Sequence, residues 1–497
     1  GVTWRLHHGS EDRLPDPRIA AIEGDDATPA YRGTAYVVFE NLDLTPYGNR
    51  IPQFNFEVLR RPAEAPGVPR SPALDVRGVA LVPGTGEYSL ATTPVHVSHG
   101  KGVTVAANVN NDRGRADLVV SLEQMQAELP AAKAVSLVVS WFGDDLRCGA
   151  CSLRPAVEQA EKDGQQMPWR VSGVGRFEAK LVSRVDGRPL FGGTPADDAV
   201  VEAIRHMRER GHSVMFYPFI LMEVLADNAL PDPWTGAAGQ PPVPWRGRIT
   251  LSAAPGRPDS PDQTPAAADE VAAFFGTARA SDFRVEGGAV VYTGPQEWSY
   301  RRFILHYAHL CALAGGVSSF CIGSEMRSLT QIRGAGDTFP AVARMIDLLR
   351  EVRALLGPDV KLVYAADWSE YFGYDAGGGT KYFHLDALWS DPDLDVIGID
   401  NYMPLADWRE GEEHRDHQAG WRSTYDLAYL KGNVAGGEGF DWYYDNAQGR
   451  DVQRRTPITD DQGEPWFWRY KDLRGWWENF HTDRIEGVQV AEPTEWV

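Results

Sequence analysis

No apolar run in this chain approaches the ~18 consecutive residues a membrane helix needs, and its first residues carry no basic, apolar leader. No glycine-rich phosphate loop follows an early strand, which disfavours a nucleotide site of the doubly wound type. Cysteine is scarce, with four in 497 residues. Cys311 and Cys321 lie in apolar surroundings and read as small buried hydrophobes. Cys148 and Cys151 are spaced for a local bridge or half of a zinc site. No second Cys/His pair accompanies them, so a loop disulfide or two free thiols remain. Positive charge is also in short supply: 49 Lys and Arg face 69 Asp and Glu, a formal net charge of -20. That argues against a nucleic-acid footprint, which needs concentrated cations.

What is present supports a large core. Hydrophobic residues make up 43% of the chain and aromatics 11%, and the length suits two to four ordinary domains. A chain opening on Gly1 reads as a segment of something longer. Residues 1–110 carry strand patterns. Tyr36–Glu40 is a short strand, Asp43–Ile51 holds turn chemistry in Pro46 and Gly48-Asn49, and Gln53–Val58 alternates with period two. The proline-rich stretch Arg61–Pro72 reads as a connection.

From 111 to 497 the pattern becomes alternating strand and helix. Ser136–Ser140 is a β-branched run, Thr194-Pro195 opens a helix as N-cap and first-turn proline, and Ser213–Ile220 is the next strand. Pro231–Pro265, rich in Pro, Gly, Ala and Asp, reads as a surface excursion of the kind that forms a lid or mere decoration. Then come a helix through Phe303, Ile304, Tyr307 and Cys311, a buried strand Val317–Ile322, a helix through Val342, Met345 and Leu349, and strands at Lys361–Ala366 and Leu394–Ile399. Apolar strands separated by helices imply a parallel sheet covered by helices. Closed into a ring, that is a (β/α)₈ TIM-like barrel, an α/β fold.

Several strands end in a carboxylate or an indole, at the rim where barrels keep their chemistry. Trp141, Asp144 and Asp145 follow the first of these strands, Glu223 the second and Glu325 the third. Asp367, Trp368 and Glu370 follow the fourth, and Asp400, Asn401 and Tyr402 the fifth. Sugar sites need this mixture, because ring faces stack on sugar C–H surfaces while paired carboxyls do acid/base work. Glu325 is the candidate general acid. Asp145, Asp367, Asp400 and Asn401 are candidates for holding hydroxyls, with Trp141, Trp368 and Tyr402 as platforms. The competing reading is that such residues cap helices and shield the barrel mouth. Glu438 lies in the aromatic loop Gly436–Trp442, which suits substrate stacking, packing or a protein contact equally well.

Tyr31–Glu40 together with Tyr47–Pro52 resembles the signature of central tail-hub proteins of long-tailed phages. Trp141–Asp145, Gly323–Met326 and Gly398–Tyr402 are similar to the glycoside-hydrolase-like barrel of the baseplate hub of gene transfer agents, which are phage-like particles. The resemblance implies a β-rich hub portion before the barrel and a place in the tail baseplate of a virion. It implies partners among tail proteins and copies of the chain itself, and a barrel facing cell-envelope polysaccharide as a hydrolase, a glycan binder or rigid bulk. No metal or cofactor is implied. In that clan the acid/base ends strand four, which Glu325 matches, and the nucleophile ends strand seven, which no residue here clearly matches. Glu438 is a substitute only if its loop serves in place of that strand. With the Leu394 run as strand six, the seventh is expected beyond Val497, leaving the barrel incomplete at its C-terminus.

Overall fold

The structure, a computed structural model, describes residues 2–56, 58, 71–84, 86–460 and 462–494. The chain divides into two units, Gly1–Ala63 and Glu64–Val497. In the first, Thr3–His7 pairs antiparallel with the expected strand Tyr36–Glu40. A short helix, Pro17–Glu23, begins at Asp16, whose side chain accepts from the backbone N–H groups of Arg18 and Ile19 at 2.9 and 3.0 Å. The same carboxylate receives Arg5 and His7. Burial pushes the Asp16 carboxyl up, but these hydrogen bonds together outweigh it and hold the group well below the usual carboxylate range. Gln53–Phe56, expected to open a strand, forms none. Its aromatic side chains cluster instead, Phe54 stacking on Phe39 at 4.5 Å and lying 6.0 Å from Phe56. Most of the Arg61–Pro72 connection falls outside the described residues.

The second unit is built on a parallel sheet whose six main strands pair in chain order: β1 (Gly78–Leu81), β2 (Ala134–Gly143), β3 (Ser213–Met222), β4 (Ser319–Ser324), β5 (Lys361–Asp367) and β6 (Val396–Asp400). The sheet thus begins at residue 78, well before the boundary near 110 expected from pattern. The short run Gly78–Leu81 is a strand because it is registered against Ala134–Leu137, a tertiary contact with little local signal. Helices α1 (Asp117–Glu128), α2 (Asp197–Glu209), α3 (Tyr300–Leu313) and α4 (Pro340–Leu356) lie between the strands in sequence. Thr194 does not cap α2, which starts after Ala196. Its hydroxyl instead donates to the Ser140 carbonyl at 3.0 Å and accepts from the Ala156 N–H at 3.2 Å.

Strand alternation sorts the side chains into two layers. Val135, Leu137, Val139 and Trp141 of β2, Val214, Phe216 and Ile220 of β3, and Leu362, Tyr364 and Ala366 of β5 join the helices in one large core. The opposite face carries Val138, Met215, Tyr217, Phe219, Cys321 and Ala365. That face is concave. In a flat sheet β3 and β6, three positions apart, would lie roughly 14 Å from one another. Yet the Tyr217 hydroxyl of β3 donates to the Asp400 carboxylate of β6 at 2.8 Å. The fold is an incomplete (β/α) barrel, curled over six parallel strands.

Beyond the barrel strands, Tyr374–Gly377, Thr380–Tyr382, Arg484–Ile485 and Val488–Gln489 form a small four-stranded sheet. It buries Lys381 completely, with no hydrogen-bond partner for Nζ among the described residues. The ammonium sits 4.5 Å from the ring of Phe372 and 4.9 Å from those of Phe467 and Trp468. Cation–π attraction offsets part of the lost hydration, but burial still pulls the Lys381 pKa down to about 7. Between about pH 7 and the ordinary value of 10.5, the native state has released a proton that the unfolded chain keeps, so this group makes stability rise with pH across that window. Lys381→Met should therefore be more stable than the parent at pH 7, by at least about 1 kcal/mol. Melting curves should show the advantage shrinking towards pH 10; a pH-independent difference would contradict the argument.

Candidate active site

β4 carries the local irregularity that builds the site. Its register with β5 shifts between Cys321 and Gly323, a bulge of the kind that re-aims a side chain. Gly323 is required there, because a Cβ would stand 2.2 Å from the Tyr300 hydroxyl, which donates to the Ile322 carbonyl at 2.8 Å. Two residues on, Glu325 adopts φ +51°, a left-handed conformation that costs a non-glycine residue energy and often marks a functional position. It is held by its own N–H, which donates to the Ala365 carbonyl at 2.8 Å.

Glu325 is only 7% exposed. Its Oε2 accepts from the Trp245 indole N–H at 2.7 Å and pairs with the Arg246 guanidinium at 3.1 Å. Arg246 is buried as well. It donates to the Ser324 carbonyl and hydroxyl, each at 2.9 Å, and lies 3.8 Å from the ring centre of Phe219. Trp245 and Arg246 come from the Pro231–Pro265 excursion, which the sequence left open as lid or decoration. Gly247 lets the indole fold back, since a Cβ there would stand 2.3 Å from the Trp245 ring.

The second carboxyl is Asp400, at the end of β6. It accepts from the Tyr217 hydroxyl at 2.8 Å and interacts electrostatically with Glu325. Burial raises its pKa first and the Glu325 charge adds to that, against the Tyr217 hydrogen bond and the Arg246 charge, so that the group is pushed up to about 6. Two acids thus stand together in different settings. Glu325 receives two N–H donors, while burial lets Asp400 keep its proton to about pH 6. The region where unlike environments separate two carboxyls is where acid and base roles divide.

The other expected site residues are distributed differently. Trp141 faces the helices, has no exposed surface, and donates to the Tyr307 hydroxyl at 2.9 Å. It belongs to the core and offers no face to a sugar, because strand alternation points it away from the concave side. Asp145 is committed to Arg147 at 2.6 Å and Gln240 at 2.7 Å, tying the β2 end to the excursion. Asp367 is registered beside Asp400, but its carboxylate caps Ser369. Asn401 is exposed and accepts from the Met403 N–H at 2.9 Å, and Tyr402 is 72% exposed. Trp368 is half-buried, edge-on to Tyr470 at 4.9 Å, and Glu438 pairs with Arg450 at 3.1 Å. Of the acids that end other strands, Glu223 is bound by Lys180 and Ser183. Glu370 is buried against Thr330 and Tyr364, and burial raises it to about 7. Cys148 and Cys151 are buried free thiols. Among the described residues, no group of three or more His, Cys, Asp or Glu is placed to hold a metal ion, and no helix is long and apolar enough to cross a membrane.

Sequence reasoning singled out Glu325 and Asp400 as candidates, and did not single out Tyr217, Trp245 and Arg246, which bind them. Tyr217 is one polar group in an apolar strand, visible only as a residue of the alternate parity. The signal for the other two was a Trp-Arg-Gly run inside a proline-rich loop.

Residues 298–497 match the GTA TIM-barrel-like domain, a stretch that takes in α3, β4, β5 and β6. No curated protein matches the chain. Among solved structures, it is similar to a GH113 β-1,4-mannanase in a complex, with 18% identity over 61% of this chain and 60% of that one and a TM-score of 0.28. A GH113 β-mannanase from Alicyclobacillus acidocaldarius gives 15% identity over 68% and 63%, with a TM-score of 0.33. The chain spans less than two thirds of the length of these structures.

The acid pair makes a specific prediction for stability. From about pH 4 to pH 6 the native state keeps the Asp400 proton while the unfolded chain has lost it, so stability contributed here falls as pH rises and stays lower above pH 6. Asp400→Asn removes that loss while still accepting from Tyr217. Thermal melts should show the variant ahead by on the order of 1 kcal/mol at pH 7.5, after allowance for partial exposure, and level with the parent at pH 4. A variant less stable at both values would mean the pair is not repulsive.

Proposed function

We propose that this chain is a component of a phage-like tail particle whose barrel faces cell-envelope polysaccharide, and that Glu325 and Asp400 are its acid pair for glycosidic cleavage. The observation that carries the catalytic part is that two rim carboxyls of unlike environment act on each other, Glu325 bound by Trp245 and Arg246 and Asp400 bound by Tyr217. The particle is suggested by the gene-transfer-agent domain matched over 298–497 and by the hub-like signature around Tyr31–Glu40.

In this reading the roles differ from the sequence expectation. Asp400, protonated to about pH 6, donates to the glycosidic oxygen as the C–O bond breaks, and the leaving sugar departs as an alcohol. Glu325, bound by Arg246 and Trp245, stabilises or attacks the anomeric carbon, and water completes the hydrolysis. A retaining pair spans about 5–5.5 Å between carboxyls. With Glu325 only 7% exposed and bound by the Trp245 indole, the Trp245 side of the site must open to admit the sugar. A second reading draws on that cover: with Glu325 so little exposed, the barrel binds glycan without cutting it.

Release of reducing ends from purified envelope polysaccharide decides between these readings. Cleavage by the parent that declines above pH 6, and falls about 10²–10⁴-fold in Glu325→Gln and in Asp400→Asn, supports the hydrolase. Undiminished cleavage in both variants would refute the assignment. Polysaccharide binding with no cleavage by the parent supports the second reading.

A further inference from the structure

Beside the acid pair lies a cleft of about 550 Å³, within the range of roughly 300–1,000 Å³ for small-molecule sites. Trp368, Tyr443, Tyr444, Trp468 and Tyr470 line it. We propose that this aromatic cleft is a saccharide subsite for neutral or N-acetylated sugar units, holding a glycan chain so that it runs on to Glu325 and Asp400. The inference rests on the reading of the rim as glycan-facing, but it does not depend on cleavage.

Three observations support it. The first is position. Trp368 directly follows β5, and its backbone N–H donates to the Asp400 carbonyl at 3.2 Å, so the cleft wall and the acid pair share one stretch of rim. The second is that two of the rings, Trp368 and Tyr470, are held in place. Tyr470 meets Trp368 edge-on at 4.9 Å, and its carbonyl accepts from the Tyr371 hydroxyl at 2.9 Å. Gly439, at φ +80°, has no room for a side chain, because a Cβ would stand 2.2 Å from the Tyr470 ring. Packed rings present stacking faces at little entropic cost. The third is the polar complement. Asp375, Glu438 and Arg450 also line the cleft, two acceptors of hydroxyl protons and one donor. Arg450 is already paired with Glu438, so the cleft offers an incoming anion no free cation among these lining groups. The chain as a whole carries a formal net charge of -20. Polyanionic glycans are therefore disfavoured, and neutral or N-acetylated ones fit both the rings and the charge.

The test uses the full chain carrying Glu325→Gln, so that binding is read without turnover, titrated calorimetrically with chitotetraose, cellotetraose and an oligogalacturonate. At least one of the two uncharged probes should bind, and more tightly than the oligogalacturonate. Adding Tyr443→Ala, which removes an exposed ring, should raise the Kd about tenfold, the equivalent of about 1.4 kcal/mol. Trp368→Ala should do the same, and Tyr443→Phe, which keeps the ring, should bind nearly as the parent does. No binding by either uncharged probe, tighter binding of the oligogalacturonate, or binding indifferent to both alanine variants would each overturn the proposal. Binding that moves with the cleft variants, in a protein whose parent form cleaves nothing, would uphold the cleft and remove the hydrolase. Cleavage lost in Glu325→Gln, with binding indifferent to the cleft variants, would do the reverse.

Discussion

Two carboxyls taken out of water beside each other cannot both keep a full charge unless cations and donors compensate them. The barrel meets this constraint from three directions. β3 supplies the Tyr217 hydroxyl to Asp400, the excursion supplies Arg246 and the Trp245 indole to Glu325, and burial keeps the Asp400 proton to about pH 6. The first of these depends on the curl of the sheet. Uncurled, β3 and β6 would stand too far apart for a tyrosine to bridge, and the pair would lose one of its donors.

The same constraint explains the excursion. A long segment without much regular structure is uncommon in a compact domain unless it serves a site. Here it is fastened at several points. Gln240 meets Asp145, Arg246 bonds the carbonyl and hydroxyl of Ser324, and within the excursion Trp234 donates to the Arg248 carbonyl. These ties place a guanidinium where the acid pair needs one. They also place Trp245 over Glu325, which makes the excursion the element that has to move if a sugar is to enter.

The region after β6 solves a different problem. It has few long elements, and it is organised by aromatic packing and ion pairs: Arg455 with Asp407 and Asp416, Arg484 with Asp460 and Glu464, and Lys381 among three rings. Late tryptophans that read in sequence as packing, interface or ligand platform divide between these uses. Trp476 is buried, whereas Trp468 serves both the Lys381 cage and the cleft wall.

Much of the barrel was legible because its signals are local. Apolar strands, helical stripes and glycine stops fall near Ser213, Ser319, Lys361 and Val396, and the carboxylates that end strands can be read directly. The first strand, Gly78–Leu81, was not legible, since four small residues become a strand only by pairing with β2. Nor could sequence place Trp141, whose rim-like position is reversed by the alternation that turns it towards the helices. Glu325 and Asp400 were each visible as acids at strand ends. That Tyr217 reaches Asp400, and that Trp245 and Arg246 bind Glu325, were decided by the curl of the sheet and the path of the excursion. Those contacts span 80 residues for Trp245 with Glu325 and 183 for Tyr217 with Asp400, and no local pattern of residues encodes a distance of that kind.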